Sequence, residues 1–303
     1  MVCDREWRSG SAHQRTPAWF VDALARPGKS RFVSVDGFDL HCLTWNLEDE
    51  SKPVLLLQHG YWGHAHWWDF IAPFFLDRYR IVAPDFAGMG DSAHRPVYDI
   101  PVFVRAMAGL IEALDLPPVA AVAHSFGGSQ LLHVCAEHPR LFRHAIVIDS
   151  YFHFPDLAVG GAAPRVISGG RVYPDFATAR ARFRLAPPQP RALPCLVEHI
   201  AGHSLRQVEG GWRWKFDPAL PADMGASRFG TELLARIRMP VDVVYGSESV
   251  VVSAERARRS VMHLPAGSAL VDVPGSGHHV MLDRPLLLVD ILRALLARVE
   301  ERP

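Results

Sequence analysis

The run Ala123-His124-Ser125-Phe126-Gly127-Gly128 follows the continuously apolar stretch Val119 to Val122 with no linker between them. A serine so placed stands on a sharp turn from a buried strand into a helix, and the two glycines let strand and helix backbones approach closely. Alanine at 123 occupies a position where glycine is more usual, a difference of one methyl group. Such a turn pushes the hydroxyl out above the edge of a sheet, where it can serve as a nucleophile. The other employment open to a serine here is simple capping of a helix. The rest of the chain decides between the two.

Around this turn the apolar pattern is that of alternating strands and helices. Arg31 to Val35, Asp36-Gly37 and Phe38 to Trp45 read as an antiparallel hairpin, because Asp-Gly supplies the positive φ values of a tight turn. Pro17 to Ala25 fits a short amphipathic helix before it. Val54 to Leu57, Ile81 to Ala83, Val119 to Val122, Ala145 to Ile148 and Val241 to Tyr245 are short, wholly apolar runs, as strands covered by helices on both faces must be. Helical spacing appears in Val102 to Leu114, Gln130 to Glu137, Ala254 to His263 and Pro285 to Val299, and Ala269 to Val273 reads as a further strand.

Regular alternation lapses between Ile148 and Val241, where Pro, Gly, Arg and aromatic residues abound and only Ala177 to Phe183 and Val197 to Leu205 look helical. The expected fold is therefore α/β: a mostly parallel central sheet with helices on both faces and an inserted, mainly helical cap. Residues 1–149 and 238–303 would form the two parts of the core, and 150–237 the cap. A length of 303 residues suits one large domain of this kind.

Three further segments point to acyl chemistry. His59-Gly60-Tyr61-Trp62-Gly63 follows the strand Val54 to Gln58, so that the backbone N–H groups of Tyr61 and Phe126 would together bind an anionic oxygen. Each such donor contributes about 3 kcal/mol to a tetrahedral intermediate. His59 itself is expected to satisfy loop carbonyls. Asp85-Phe86-Ala87-Gly88-Met89-Gly90-Asp91-Ser92 makes a polar, glycine-bearing turn that braces the floor of the site, with the wrong spacing for a dinucleotide phosphate loop. Gly275-Ser276-Gly277-His278-His279 places His278 on a loop from which an imidazole can take the serine proton and return it to a leaving group.

Taken together, the His-Gly loop, the D-x-x-G-x-G-x-S turn, the H-S-F-G-G turn and the late Gly-His resemble the α/β-hydrolase superfamily, from the hairpin at Arg31 to the last helix. The resemblance implies a serine-nucleophile, capped branch similar to esterases and C–C bond hydrolases, since epoxide hydrolases and haloalkane dehalogenases carry aspartate at the position of Ser125. It also leaves the triad acid open. The common position for it, after Gly246, holds Ser249; Glu248 is one residue early; Asp149, at the end of Ala145 to Ile148, matches the place used by a minority of the superfamily. Asp149 and Glu248 are alternative acids, with a bare serine–histidine dyad as the third possibility.

The expected function is cleavage of an ester or related acyl bond of a small, apolar or aromatic substrate through an acyl-enzyme on Ser125, without a cofactor. Trp62 and His124 are the expected substrate contacts. The rival readings are a cofactor-free dioxygenase on the same fold and a non-catalytic ligand receptor.

Other classes fare worse. Thirty-two basic and 32 acidic residues balance, which gives no attraction for nucleic acid or an anionic membrane. Cys3, Cys42, Cys135 and Cys195 are scattered and read as reduced thiols. The polar Met1 to Arg15 does not suit a signal peptide, and no stretch is long enough to span a membrane, so a cytoplasmic protein is expected. His64 and His66 with Asp69, and His199 with His203, have metal-like spacing, but the sequence supplies neither pair with a third ligand and no metal is expected. His64 and His66 are instead expected to line the pocket mouth.

Overall fold

The computed structural model describes residues 16–157, 170–221 and 230–300, with side chains through 298. Met1 to Arg15, with Cys3, lies outside the described residues. In chain order the elements are α1 (Ala18–Leu24), β1 (Lys29–Val35), β2 (Phe38–Trp45), β3 (Val54–Gln58), β4 (Arg80–Pro84), α2 (Ile100–Ala113), β5 (Val119–His124), α3 (Phe126–Glu137) and β6 (Phe142–Ile148). There follow α4 (Phe176–Arg180), α5 (Pro194–His203), β7 (Leu205–Val208), β8 (Gly211–Trp214) and α6 (Thr231–Arg236). The chain closes with β9 (Val241–Gly246), α7 (Ala254–Met262), β10 (Leu270–Val273), α8 (Val280–Asp283) and α9 (Pro285–Glu300).

Eight strands form one sheet in the order β1-β2-β4-β3-β5-β6-β9-β10. The first two ladders are antiparallel and the other five parallel. Every residue of β3, β4, β5 and β9 is buried. Because successive side chains of a strand point to opposite faces, these strands feed two cores at once. Leu56, Val82, Ala121 and Val147 join α2 and α3 residues on one face, while Leu55, Leu57, Ile81, Val122 and Ile146 meet Leu288, Leu292 and Leu296 of α9 on the other. At the Asp36-Gly37 turn both residues have positive φ, 54° and 76°, as the hairpin requires.

β3 lies between β4 and β5, so the direction of winding reverses there. At such a reversal the connections leaving the C-terminal ends of adjacent strands run to opposite sides of the sheet, which is where α/β proteins bind ligands. The connections after β3 and β5 carry His59 to Gly63 and Ser125. β6 pairs directly with β9, from Ala145↔Val241 to Ile148↔Val244, so the segment between them departs and returns without interrupting the sheet.

That segment carries an antiparallel hairpin, β7–β8, besides the expected helices, with Gly210 and Gly211 at positive φ in its turn. Tyr173 bridges to Trp212 and extends this small sheet. Two helices begin earlier than their apolar spacing suggests. α3 starts at Phe126, its first turn disguised by two glycines of poor helix propensity, and α5 starts at Pro194, a residue preorganised for a first helical turn.

Candidate active site

Ser125 is the residue between β5 and α3, with φ 54° and ψ −123°. A non-glycine residue at positive φ costs energy that the surroundings must offset, and here they do so on three sides. The Ser125 N–H donates to the Ile148 carbonyl at 2.8 Å, and the Ser125 carbonyl accepts from Gly128 N–H at 3.0 Å. A Cβ on Gly127 would stand 2.3 Å from the His59 carbonyl, and one on Gly128 1.9 Å from Ser150 Oγ. Both glycines are therefore needed where α3 starts against β3 and β6. The methyl of Ala123 is buried without disturbing the ladders to Gln58 and Val147. Ser125 remains partly open among buried neighbours, and its Oγ has no hydrogen-bond partner among the described residues.

The loop after β3 is held by His59. Its Nε2 accepts from Phe86 N–H at 3.0 Å, which leaves Nδ1 protonated to donate to the Gly60 carbonyl at 2.7 Å. Burial holds this imidazole below its ordinary pKa, in keeping with a neutral ring. The loop it fixes turns sharply, Gly63 N–H bonding Gly60 O at 3.1 Å and Trp62 taking φ 56°. Tyr61 and Phe126 are neighbours, their rings 4.9 Å apart, and the Phe126 N–H at the head of α3 has no acceptor among the described residues.

His278 reaches the same place from the loop after β10. Its Nδ1 is 2.7 Å from Asp149 Oδ1. Since a carboxylate only accepts, Nδ1 carries the proton of this bond, which leaves Nε2 as the acceptor of a neutral ring. Asp149 is fully buried, at φ 46°, and receives Gly246 N–H at 2.9 Å on Oδ2 and the Ser249 hydroxyl at 2.6 Å on Oδ1. Ser249 also accepts from Val251 and Val252 N–H, both at 3.1 Å. The serine at the commoner acid position thus supports the aspartate at the rarer one. Glu248, the alternative, is half-exposed and pairs with Arg191; the structure brings it to solvent and not to His278.

His124 occupies a place the sequence did not suggest. It is 2% exposed, and its Nε2 donates to the His278 carbonyl at 3.0 Å, the two rings 4.8 Å apart. Burial, with His278 beside it, keeps it well below its ordinary pKa. Its ring lies behind His278 and holds that residue's backbone, where the sequence suggested a substrate contact. Trp62 stays partly exposed with its ring 5.9 Å from Phe216 of the inserted segment.

Gln189 escaped the sequence reading. Gln189 brackets His279, receiving its N–H and donating to its carbonyl, both at 2.8 Å. Trp67 lies 5.3 Å from the His279 ring and 6.3 Å from that of His124. No spacing signal marks Gln189.

The Asp85 turn does brace the floor. Its carboxylate accepts from His41 Nδ1 at 2.7 Å, Ala65 N–H at 2.5 Å and Asp91 N–H at 2.7 Å. Burial works to raise its pKa, but those bonds and the nearby His59 outweigh it and hold it below the usual range. The rim of this turn grips the inserted segment: Arg206 donates to Gly90 O at 2.7 Å, Lys215 pairs with Asp91 at 2.5 Å, and Asp217 N–H donates to Gly88 O at 2.7 Å.

The family model of the alpha/beta hydrolase family matches residues 54–291. The chain belongs to that family. Among curated proteins this member is 27% identical to the 2-(acetamidomethylene)succinate hydrolase of Mesorhizobium japonicum, over 86% of this chain and 94% of that one. It is 26% identical to the lipase LipV of Mycobacterium tuberculosis, over 85% and 98%. The crystal structure of an E-2-(acetamidomethylene)succinate hydrolase superposes with a TM-score of 0.75 at 22% identity, covering 89% of this chain and 99% of that one, which supports the fold.

The remaining histidines also find places. His64 is buried and its Nε2 bonds Ser204 Oγ at 2.9 Å, at the end of α5, so it fastens a helix where a pocket-lining role was expected. His66, Asp69, His199 and His203, which the sequence left as two separate pairs, lie together because α5 packs on the short 3-10 turn Ala65–Trp68. Cys42 and Cys135 are buried thiols, the former pushed up to about 12 chiefly by burial, and Cys195 is half-buried. Among the described residues no helix is long and apolar enough to cross a membrane.

Proposed function

We propose that the chain is a serine hydrolase that cleaves an ester or related acyl bond of a small substrate lying between the sheet edge and the inserted segment. The observation that carries this reading is the Asp149–His278 hydrogen bond at 2.7 Å, made beside a serine held at positive φ. Ser125 Oγ attacks the acyl carbon as His278 Nε2 takes its proton. Asp149 holds the Nδ1–H tautomer and stabilises the imidazolium without accepting its proton. Phe126 and Tyr61 N–H groups meet the oxyanion. His278 then protonates the leaving group, and water releases the acyl group by the same steps in reverse order.

His124 keeps the base loop in register and Trp62 with Phe216 offers an apolar wall for the acyl group. Residues 150–237 act as the cap over this site, its components 158–169 and 222–229 lying outside the described residues. Similarity to a lipase and to a hydrolase of an acetamido compound, each along nearly its full length, supports acyl transfer as the reaction class.

The test is rapid mixing with a nitrophenyl ester series, with quenched samples analysed by mass. The expected result is a burst and an acyl adduct on the peptide containing Ser125, both absent in Ser125→Ala. The position of Asp149 favours one second reading, a cofactor-free oxygenation in which His278 and Asp149 take a proton from the substrate. Oxygen uptake without an acyl adduct would select it.

A further inference from the structure

Outside the residues of the proposed mechanism, one cluster keeps ring nitrogens that its own hydrogen bonds do not use. Asp69 Oδ2 receives His66 Nδ1 and His199 Nε2, both at 2.8 Å. His203 stacks on His66 with ring centroids 3.9 Å apart, and its Nδ1 lies 2.9 Å from the His199 carbonyl. A carbonyl can only accept, so the His203 proton is on Nδ1 and its Nε2 offers a lone pair. Neither that nitrogen nor His66 Nε2 has a hydrogen-bond partner among the described residues. One donor atom from each of the four side chains lies within 4.8 Å of the other three.

We infer that His66, Asp69, His199 and His203 form a site for a first-row divalent cation of the zinc type, which fastens α5 to the core. Three imidazoles and one carboxylate are a donor set suited to zinc. A tetrahedral zinc with bonds near 2.0–2.1 Å sets its ligands about 3.4 Å apart. The donors here, at 2.8 to 4.8 Å, bracket that separation. His199 and His203 stand at i and i+4 on one helix and so face the same way. The His203-to-carbonyl bond is the kind of outer contact that orients a ligating imidazole. On binding, the cation replaces the two N–H protons now bridging to Asp69, which pass to the outer ring nitrogens or to solvent.

The site joins two parts of the chain. His66 and Asp69 flank Trp67, whose ring reaches His124 and His279, while His199 and His203 belong to the inserted segment. A cation there would set the distance between that segment and the catalytic loop, as a structural site remote from the reacting atoms.

The test is calorimetric titration of the chelator-stripped full chain with zinc chloride, with circular dichroism to verify folding. The expected result is one zinc per chain, with affinity lowered about a hundredfold or more by His199→Ala and by His203→Ala. It should be unchanged in His278→Ala, which separates this site from the catalytic histidines. His203→Gln keeps size and polarity without the imidazole and should lose affinity equally, which covers a truncation that fails to fold. Cobalt(II) supplies a second readout, since a tetrahedral site gives visible absorbance that the same variants abolish. Absence of stoichiometric zinc, or binding that survives both α5 variants, overturns the inference.

Discussion

Asp149 and Asp69 are both buried carboxylates bonded to imidazole, yet they are held in opposite ways. Asp149 has its oxygens filled by His278, Ser249 and the Gly246 N–H, all from the loops at the ends of β9 and β10, and its own N–H bonds Val244 O at 2.7 Å. Gly246 is held directly by strand pairing, and Ser249 and His278 sit within five residues of a strand end. Asp69 binds one histidine from its own turn and one from α5, 130 residues away, so its geometry exists only while the inserted segment is seated. Burial works to raise the Asp69 pKa, and the bonds from His199 and His66 overcome it and bring it below the usual range. A carboxylate anchored beside the sheet suits the fixed orientation that the proposed mechanism asks of Asp149, whereas one shared between two parts of the chain depends on their being joined.

The largest effect that could break this contrast is on turnover. Asp149→Asn should lower kcat for a simple ester by roughly 10⁴-fold while leaving the fold intact, because it removes tautomer control. Asp69→Asn should leave kcat within about tenfold but cost about 1–3 kcal/mol in urea denaturation, through the unpaired imidazoles it leaves. Equal losses of turnover in the two would erase the distinction.

Acid provides the next. His124 and His279, and His64 beside α5, are held well below their ordinary value of 6.5 chiefly by burial, and His203 is brought down to about 4. Each stays neutral in the folded protein while the unfolded chain takes up a proton. The stability this confers is complete above pH 6.5 and is lost as pH falls toward the lower folded values. Asp69 follows the same sign lower down: its contribution is present above its ordinary 3.8 and lost as pH falls through its depressed value. Melting temperature should therefore decline from pH 6.5 downward; a flat profile to pH 4.5 would contradict neutral burial.

Smaller effects sharpen the picture around Asp149. Ser249→Ala removes one hydrogen bond from the acid and should cost about tenfold in kcat, equivalent to about 1.4 kcal/mol. Glu248→Gln, at an exposed ion pair, should change turnover less than twofold.

The sheet was readable because strands covered on both faces must be apolar throughout, and Val54, Val119, Ala145 and Val241 each begin such a run. The turns that carry Ser125 and His278 were readable because glycines mark where backbones approach. Which carboxylate meets His278 was not, since linear spacing left Asp149 and Glu248 both open. That pairing follows from β6 lying beside β9, which sets Asp149 against Gly246 and leaves Glu248 outside with Arg191. His124 misled because a residue next to a nucleophile invites a substrate role, whereas strand alternation turns its ring beneath the neighbouring loop. The Asp69 cluster was hidden for the reason that makes it informative: half of it arrives with α5, whose packing on the turn at Ala65 leaves no periodic trace.

The most direct test of the central claim is the rate at which a fluorophosphonate labels the protein, with the adduct mapped by peptide mass. Labelling at Ser125, abolished by Ser125→Ala, slowed by orders of magnitude in Asp149→Asn and unchanged in Glu248→Gln, is the predicted result. An adduct on another residue, or equal labelling rates in Asp149→Asn and the parent chain, would contradict it.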